Sequence, residues 1–231
     1  MAQDGRKGPP GDPGKGAGRA LTVTLKRTAG RSVASQRWLQ RQLNDPYVTA
    51  AQKQGWRSRA AFKLIELDDR FQIIKKGMRV LDLGAAPGGW TQVALDRGAA
   101  VVVGIDLLEI PPIPGAQLIQ GDATDPENQA RIIELLGGKP DLFLSDMAPN
   151  TSGHASTDHI RIVALAEMAL DLAFDLLPVG GTFVAKLFQG GADKHLLDPM
   201  KLRFESVKHA KPPASRKESS ELYVIAKNFK G

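Results

Sequence analysis

The residues with chemical reach stand at the ends of apolar runs, and one stands inside such a run. Lys186 lies within Thr182-Phe-Val-Ala-Lys-Leu-Phe188. An ammonium buried in a central strand is unfavourable unless it is paired or used, or unless its stem carries the charge back to water. Asp106 ends the run Val101-Val-Val-Gly-Ile-Asp106, Asp122 follows Gly121, Asp146 follows Ser145, and Glu221 precedes Leu222. Beside them stands a glycine-rich turn in Val80-Leu-Asp-Leu-Gly-Ala-Ala-Pro-Gly-Gly-Trp90. Apolar run, glycine turn and helical pattern form the opening unit of a nucleotide-binding α/β sheet. In this reading Gly84 lets the chain turn, and Gly88 and Gly89 let backbone approach a ligand. Pro87 stiffens the turn, and Trp90 offers a flat apolar surface beside it.

The glycine spacing is not that of a dinucleotide site, which needs G-x-G-x-x-G; here the turn is G-A-A-P-G-G. Asp106 lies 22 residues beyond Gly84, about where a carboxylate meets ribose hydroxyls. A nucleoside ligand without a pyrophosphate depends more on that carboxylate than on a helix N-terminus. The pattern therefore favours S-adenosylmethionine over NAD, and an NAD-dependent oxidoreductase is the weaker reading. There is no cysteine, hence no disulfide and no thiolate zinc site. No metal site is expected.

These residues need a scaffold that gathers strand ends. Strands are expected at 79–84, 101–106, 117–121, 141–145, 182–188, 206–211 and 222–228. Helices are expected from Gly88 to Arg97, Glu127 to Leu136 and Asp158 to Leu177, and near 194–203. The alternation is that of an α/β sheet. In open sheets of this class ligands gather at the carboxyl ends of the strands. Taken singly, Asp106, Asp122 and Asp146 also suit helix caps or turns, Asp122 most of all, but together they line one edge and describe a pocket. Upstream, a short strand or extended segment (22–31) and a helix (35–43) precede a helical stretch from Tyr47 to Asp69, which Gly55 divides. Arg57, Arg59 and Lys63 cluster in Arg57-Ser-Arg-Ala-Ala-Phe-Lys63, inviting a phosphate-bearing partner or forming a solvated helix face.

The chain of 231 residues is long enough for one ordinary α/β domain and a tail. Net charge is +6, and residues 1–44 hold nine Lys/Arg against two Asp. Residues 1–30 are read as a basic, disordered arm, and 31–231 as the folded domain with its N-terminal helices. A basic arm attracts polyanions by counterion release, or merely solubilises. No apolar stretch approaches the ~20 residues needed to span a bilayer, and the amino-terminal stretch has no apolar signal core. A cytoplasmic protein is expected, with no membrane partner.

Five stretches occur in order: Arg57-Ser-Arg-Ala-Ala-Phe-Lys63, Asp82-Leu-Gly-Ala-Ala-Pro-Gly-Gly-Trp90, Ser145-Asp-Met-Ala-Pro-Asn150, Val184-Ala-Lys-Leu-Phe-Gln-Gly190 and Glu221-Leu-Tyr-Val-Ile-Ala226. Together they resemble the FtsJ/RrmJ family of RNA ribose 2′-O-methyltransferases over residues 45–229, leaving the basic arm mostly outside. The resemblance implies a Rossmann-like S-adenosylmethionine-dependent methyltransferase fold, with a mostly parallel seven-stranded sheet and an antiparallel last strand. It implies a Lys-Asp-Lys-Glu active site at Lys63, Asp146, Lys186 and Glu221. It also implies that Gly88, Trp90, Asp106, Asp122 and Asp146 contact S-adenosylmethionine. The substrate implied is a uridine of large-subunit (23S) rRNA, within the large ribosomal subunit, acted on by a monomer. Transfer RNA as substrate, or a non-catalytic ribosome-assembly factor, are the alternatives. An ordinary lysine, near pKa ~10.4, is a poor base at neutral pH. Lys63 beside Lys186 is expected to ease removal of a proton from Lys186, against Asp146 and Glu221. Lys186 would then take the hydroxyl proton or steer its lone pair, with Asp146 orienting it.

Overall fold

The computed structural model describes residues 42–148, 155–188 and 193–231, together with Gln36, Leu39 and Gln40. The expected arm and the expected strand at 22–31 lie outside these residues. Of the expected helix at 35–43, the described residues Gln36, Leu39, Gln40, Gln42 and Leu43 are helical.

The apolar runs become seven strands: β1 (Arg79–Leu83), β2 (Val101–Asp106), β3 (Ala116–Gln120), β4 (Leu142–Ser145), β5 (Thr182–Phe188), β6 (Phe204–Ala210) and β7 (Glu221–Phe229). The described helices are α1 (Pro46–Gln54), α2 (Ala60–Phe71), α3 (Gly89–Asp96), α4 (Pro126–Leu136), α5 (Ala155–Leu176) and α6 (Asp193–Arg203). Asp45 starts α1 by accepting the Tyr47 N–H, with Pro46 already shaped for the first turn. Gly55, at φ 77°, ends it, so the expected division of the 47–69 stretch occurs at that residue. Elsewhere the boundaries move by a few residues. The long helix begins at Ala155 rather than Asp158, and β6 begins at Phe204, directly after α6.

The strands are ordered β3-β2-β1-β4-β5-β7-β6. β1 to β5 run parallel, and β7 runs antiparallel to both of its neighbours. The last strand is thus antiparallel, as expected, and it is inserted between β5 and β6. Period-two alternation feeds two buried layers. Leu81, Phe143, Phe183 and Ala185 join one layer with Ile132 of α4, Ala173 of α5 and Met200 of α6. Val80, Leu144, Val184 and Ile225 join the other with Phe62 and Leu64 of α2 and Val93 of α3. The inner strands β1, β4 and β5 are therefore buried on both faces, and their open positions are at their carboxyl ends.

The turn after β1 makes room for protein as well as for any ligand. Gly84 has φ 75°, and a Cβ there would overlap Met147 Cγ, next to Asp146. A Cβ on Gly88, at φ 106°, would overlap Ile113 Cδ1, and one on Gly89 would stand 2.5 Å from Ser58 Oγ. A side chain at Gly84 meets both left-handed strain and the Met147 side chain. Gly84→Ala should lower stability by ~1–3 kcal/mol, read from urea unfolding; an unchanged midpoint would show that Met147 yields freely.

Candidate active site

Register across three neighbouring strands assembles the site. Ser145 of β4 pairs with Ala185 of β5, which sets Asp146 beside Lys186. Across the antiparallel pair, Lys186 faces Tyr223 and Phe188 faces Glu221. Because β7 runs backwards, its first residues reach the edge where β4 and β5 end. Helix α2 lies over the same face and contributes Lys63 from its first turn. The four residues that the family resemblance named are thus brought together from four elements.

They are linked by hydrogen bonds. Lys186 Nζ lies 3.0 Å from Asp146 Oδ1 and donates to the Asp146 carbonyl at 2.7 Å. Lys63 Nζ lies 3.0 Å from Glu221 Oε2. Tyr223 joins the two pairs: its hydroxyl accepts from Lys63 Nζ at 3.1 Å and donates to Asp146 Oδ1 at 2.6 Å. The Lys186 side chain is 7% exposed and the Lys63 side chain 9%. Lys186 therefore turns to Asp146 and does not snorkel to water. Burial alone would raise the Asp146 carboxyl, yet the charges of Lys186 and Lys63 and the Tyr223 bond hold it below its ordinary value. Burial, Asp146 and Glu221 push the Tyr223 phenol well up, so it stays protonated and donates. Two cations and two anions balance, so removing any one leaves a buried charge without its partner.

Tyr223 was not singled out from the sequence, because an aromatic residue in a strand reads as core. The available signal was its spacing from Glu221: residues two apart on a strand share a face.

The residues implied for the cofactor are placed less uniformly. Asp106, at the end of β2, accepts the Ala86 N–H on Oδ2 and the Leu108 N–H on Oδ1, both at 2.9 Å. It joins the glycine turn to the loop after β2 and keeps further lone pairs on each oxygen. Gly88 precedes α3, whose N-terminus has no side-chain cap, leaving backbone N–H groups for an anion. Trp90 departs from expectation. Its ring is 3% exposed, its Nε1 donates to the Ala60 carbonyl at 2.8 Å, and its ring lies 5.7 Å from that of Tyr223. It is core packing behind the site, and offers a ligand backbone rather than a flat face. Asp122 accepts the Thr124 N–H and hydroxyl, the expected turn role; these bonds hold its carboxyl below the ordinary value.

A cavity of about 360 Å³ opens beside Lys63 and Glu221, lined also by Gln42, Arg59, Arg216, Glu218 and Ser219. Its wall is polar and carries cations, which suits a sugar-phosphate chain. Arg59 is partly engaged: its Nε lies 2.9 Å from Asp45 Oδ2, and its Nη2 donates to the Ala214 carbonyl. The same carboxylate lies 3.5 Å from Arg216 Nη2. Arg57 points away from this group, toward the loops around the glycine turn.

Known proteins resemble the chain along almost its whole length. The profile of the FtsJ-like methyltransferase family matches residues 56–229. The chain is 67% identical over 226 residues to "Ribosomal RNA large subunit methyltransferase E" of Granulibacter bethesdensis, covering 98% of this chain and 96% of that protein. It is 66% identical to the protein of the same name in Gluconobacter oxydans, over 92% of this chain and 79% of that one. These matches extend into the basic arm, further than the motifs alone. Among solved structures, a protein described as a ribosomal RNA methyltransferase from Plasmodium falciparum superposes with a TM-score of 0.68 at 33% identity, covering 76% of this chain and 100% of that chain.

One more acidic group sits at the site's base. Asp82, in β1, is 1% exposed; its Oδ2 accepts the Thr91 hydroxyl at 2.6 Å, while Oδ1 has no partner among the described residues. Burial pushes this carboxyl up to about 7, Asp146 and Asp106 add to the rise, and Thr91 opposes it. A proton held more tightly in the folded than in the unfolded chain stabilises fully below the ordinary carboxylate range. That stability is lost as pH rises through about 7. Asp82→Asn keeps a neutral group of the same shape at every pH. Its melting temperature relative to the parent should rise between pH 5 and 8, by on the order of 5 °C; parallel curves would show that Asp82 does not titrate there.

Proposed function

The chain belongs to the FtsJ-like methyltransferase family, and from that premise we propose that it methylates a ribose 2′-hydroxyl of a uridine in large-subunit rRNA, with S-adenosylmethionine as donor. The observation that carries the reading is the continuous chain Glu221–Lys63–Tyr223–Asp146–Lys186 beside a polar cavity. The names of the relatives, which specify large-subunit ribosomal RNA, support the substrate class.

The residues present fit the cofactor. The uncapped start of α3 after Gly88 would hold its carboxylate, and Asp106 its ribose hydroxyls. The carboxylate of Asp146 suits a site that receives a cation. Asp122 and the Trp90 backbone complete the assignment. S-adenosylmethionine, when bound, supplies an activated methyl group on a positively charged sulfur.

The remaining work is positioning and proton removal. Correct placement of two reactants contributes up to ~7–11 kcal/mol. Lys186 is oriented by two bonds to Asp146, one to the carbonyl and one to the carboxylate. Asp146 occupies two of the three positions around the Lys186 amine nitrogen, and the third is left for the 2′-hydroxyl. Lys186 takes the hydroxyl proton or steers the oxygen's lone pair toward the methyl group. Lys63 and Glu221, held together and facing the cavity, hold the ribose. Tyr223 keeps Lys63 and Asp146 at fixed separation.

The protein acts as a cytoplasmic monomer on rRNA of the large subunit. Residues 31–231 form the methyltransferase domain, and the basic arm at 1–30 adds affinity for RNA by counterion release. No described helix is long and apolar enough to cross a membrane.

Methylation assays on free rRNA, large subunits and tRNA, with the product mapped by mass spectrometry, test the substrate; modification confined to tRNA contradicts it. Lys186→Ala should lower turnover by at least ~10²-fold while S-adenosylhomocysteine binds within about threefold of the parent. Equal loss of cofactor affinity would refute its assignment. Tyr223→Phe, which removes only the bridging hydroxyl, should lower kcat by ~10-fold or more, and an unchanged kcat would reduce Tyr223 to packing.

A further inference from the structure

Arg57 stands in the basic segment that the sequence offers to phosphate, but its guanidinium is spent on the protein. Its Nη1 donates to the Pro87 carbonyl at 3.1 Å and to the Pro111 carbonyl at 2.5 Å, and its Nη2 donates to the Pro112 carbonyl at 2.6 Å. Pro87 belongs to the turn after β1, while Pro111 and Pro112 belong to the loop after β2. One side chain therefore ties two loops that leave adjacent strands. Arg57 is itself held: its backbone N–H donates to Gln92 Oε1 at 2.8 Å, and Gln92 Nε2 donates to the Gly55 carbonyl at 3.1 Å. That anchors the clasp to α3.

The same two loops are joined a second time by Asp106, through the Ala86 and Leu108 N–H groups. Between the clasps lies a small apolar cluster of Ala85, Ile110 and Ile113. Tolerance is low there: a Cβ on Gly88 would overlap Ile113 Cδ1 and come within 3.3 Å of Arg57 Cδ. Pro111 and Pro112 are exposed, so without Arg57 their carbonyls fall to water and the loop loses its tie to the glycine turn. A planar guanidinium meets several carbonyls at once; a lysine ammonium, a point charge on a flexible stem, does not. With three of its five N–H groups so occupied, Arg57 has little left for a phosphate.

We propose that Arg57 is a positioning residue for the cofactor cleft: it fixes the spacing between the glycine turn and the loop after β2 at which Gly88 and Asp106 meet the donor. This rests on the S-adenosylmethionine reading above. Arg57 acts through those loops and touches neither the reacting atoms nor the RNA.

The full chain, as parent, Arg57→Ala and Arg57→Lys, is titrated with S-adenosylhomocysteine by calorimetry. Binding of an rRNA fragment is then measured across a range of salt concentrations. Both variants should bind S-adenosylhomocysteine at least ~10-fold more weakly. The KM for S-adenosylmethionine should rise in parallel, and kcat at saturating donor should stay within about fivefold. RNA affinity should stay within about threefold and its salt slope should not change. Weaker RNA binding with a salt slope reduced by about one phosphate contact, and cofactor affinity intact, would overturn the proposal. So would a lower melting temperature with cofactor affinity unchanged, which is what a purely structural clasp gives. Where Arg57→Ala does not fold, Arg57→Lys alone decides, since it keeps charge and stem and loses the fork. The parent must bind S-adenosylhomocysteine first. If it does not, the function proposed above fails; if parent and variants bind it equally, only the role of Arg57 fails.

Discussion

Two lysine ammonium groups share a nearly dry pocket, and Asp146 is the carboxylate that both feel. Such a pocket is stable only if every charge has its partner and every partner its hydrogen bonds. Lys186 has Asp146, Lys63 has Glu221, and the Tyr223 hydroxyl closes the gap between the pairs. The requirement explains the topology around it. A sheet of parallel strands brings only carboxyl-terminal residues to its active edge. Inserting β7 in the reverse sense between β5 and β6 brings amino-terminal residues to the same edge. Glu221 is the first residue of that strand, and Tyr223 lies directly across from Lys186.

The cleft beside this network is made of loops, and it is kept in shape by polar contacts rather than by a large apolar core. Asp106 binds two backbone N–H groups from one side, and Arg57 binds three carbonyls from the other. The glycines serve the same close packing. Gly84 admits Met147, and Gly88 admits Ile113 and Arg57. A motif whose glycines look reserved for a ligand is here shared between ligand approach and the approach of neighbouring chain.

Much of this was legible beforehand, for physical reasons. Apolar runs punctuated by glycine and proline located the seven strands along the chain to within a few residues. The aspartates at strand ends announced an edge with chemistry. The reversed sense of β7 was not readable from Leu222–Asn228, because a strand's residues do not encode its direction; it came from resemblance to a family. Three side chains were misjudged or passed over. Trp90 was expected to face a ligand, but an indole with one donor is well satisfied in a core that offers the Ala60 carbonyl. Tyr223 was hidden because aromatic residues are common strand fillers. Arg57 was read by its charge, while its actual partners are uncharged carbonyls up to 55 residues away, a relation that spacing along the chain does not carry.

Methyl transfer here turns on the amine held by Asp146, the group that meets the sugar hydroxyl. A crystal structure with S-adenosylhomocysteine and an unmethylated rRNA fragment addresses it without reliance on a variant. The target 2′-oxygen should lie within about 3.2 Å of Lys186 Nζ, with both bonds from Lys186 to Asp146 kept and Lys63 still joined to Glu221. A 2′-oxygen out of reach of Lys186, or a Lys186 side chain that has left Asp146 to bind phosphate, would contradict it.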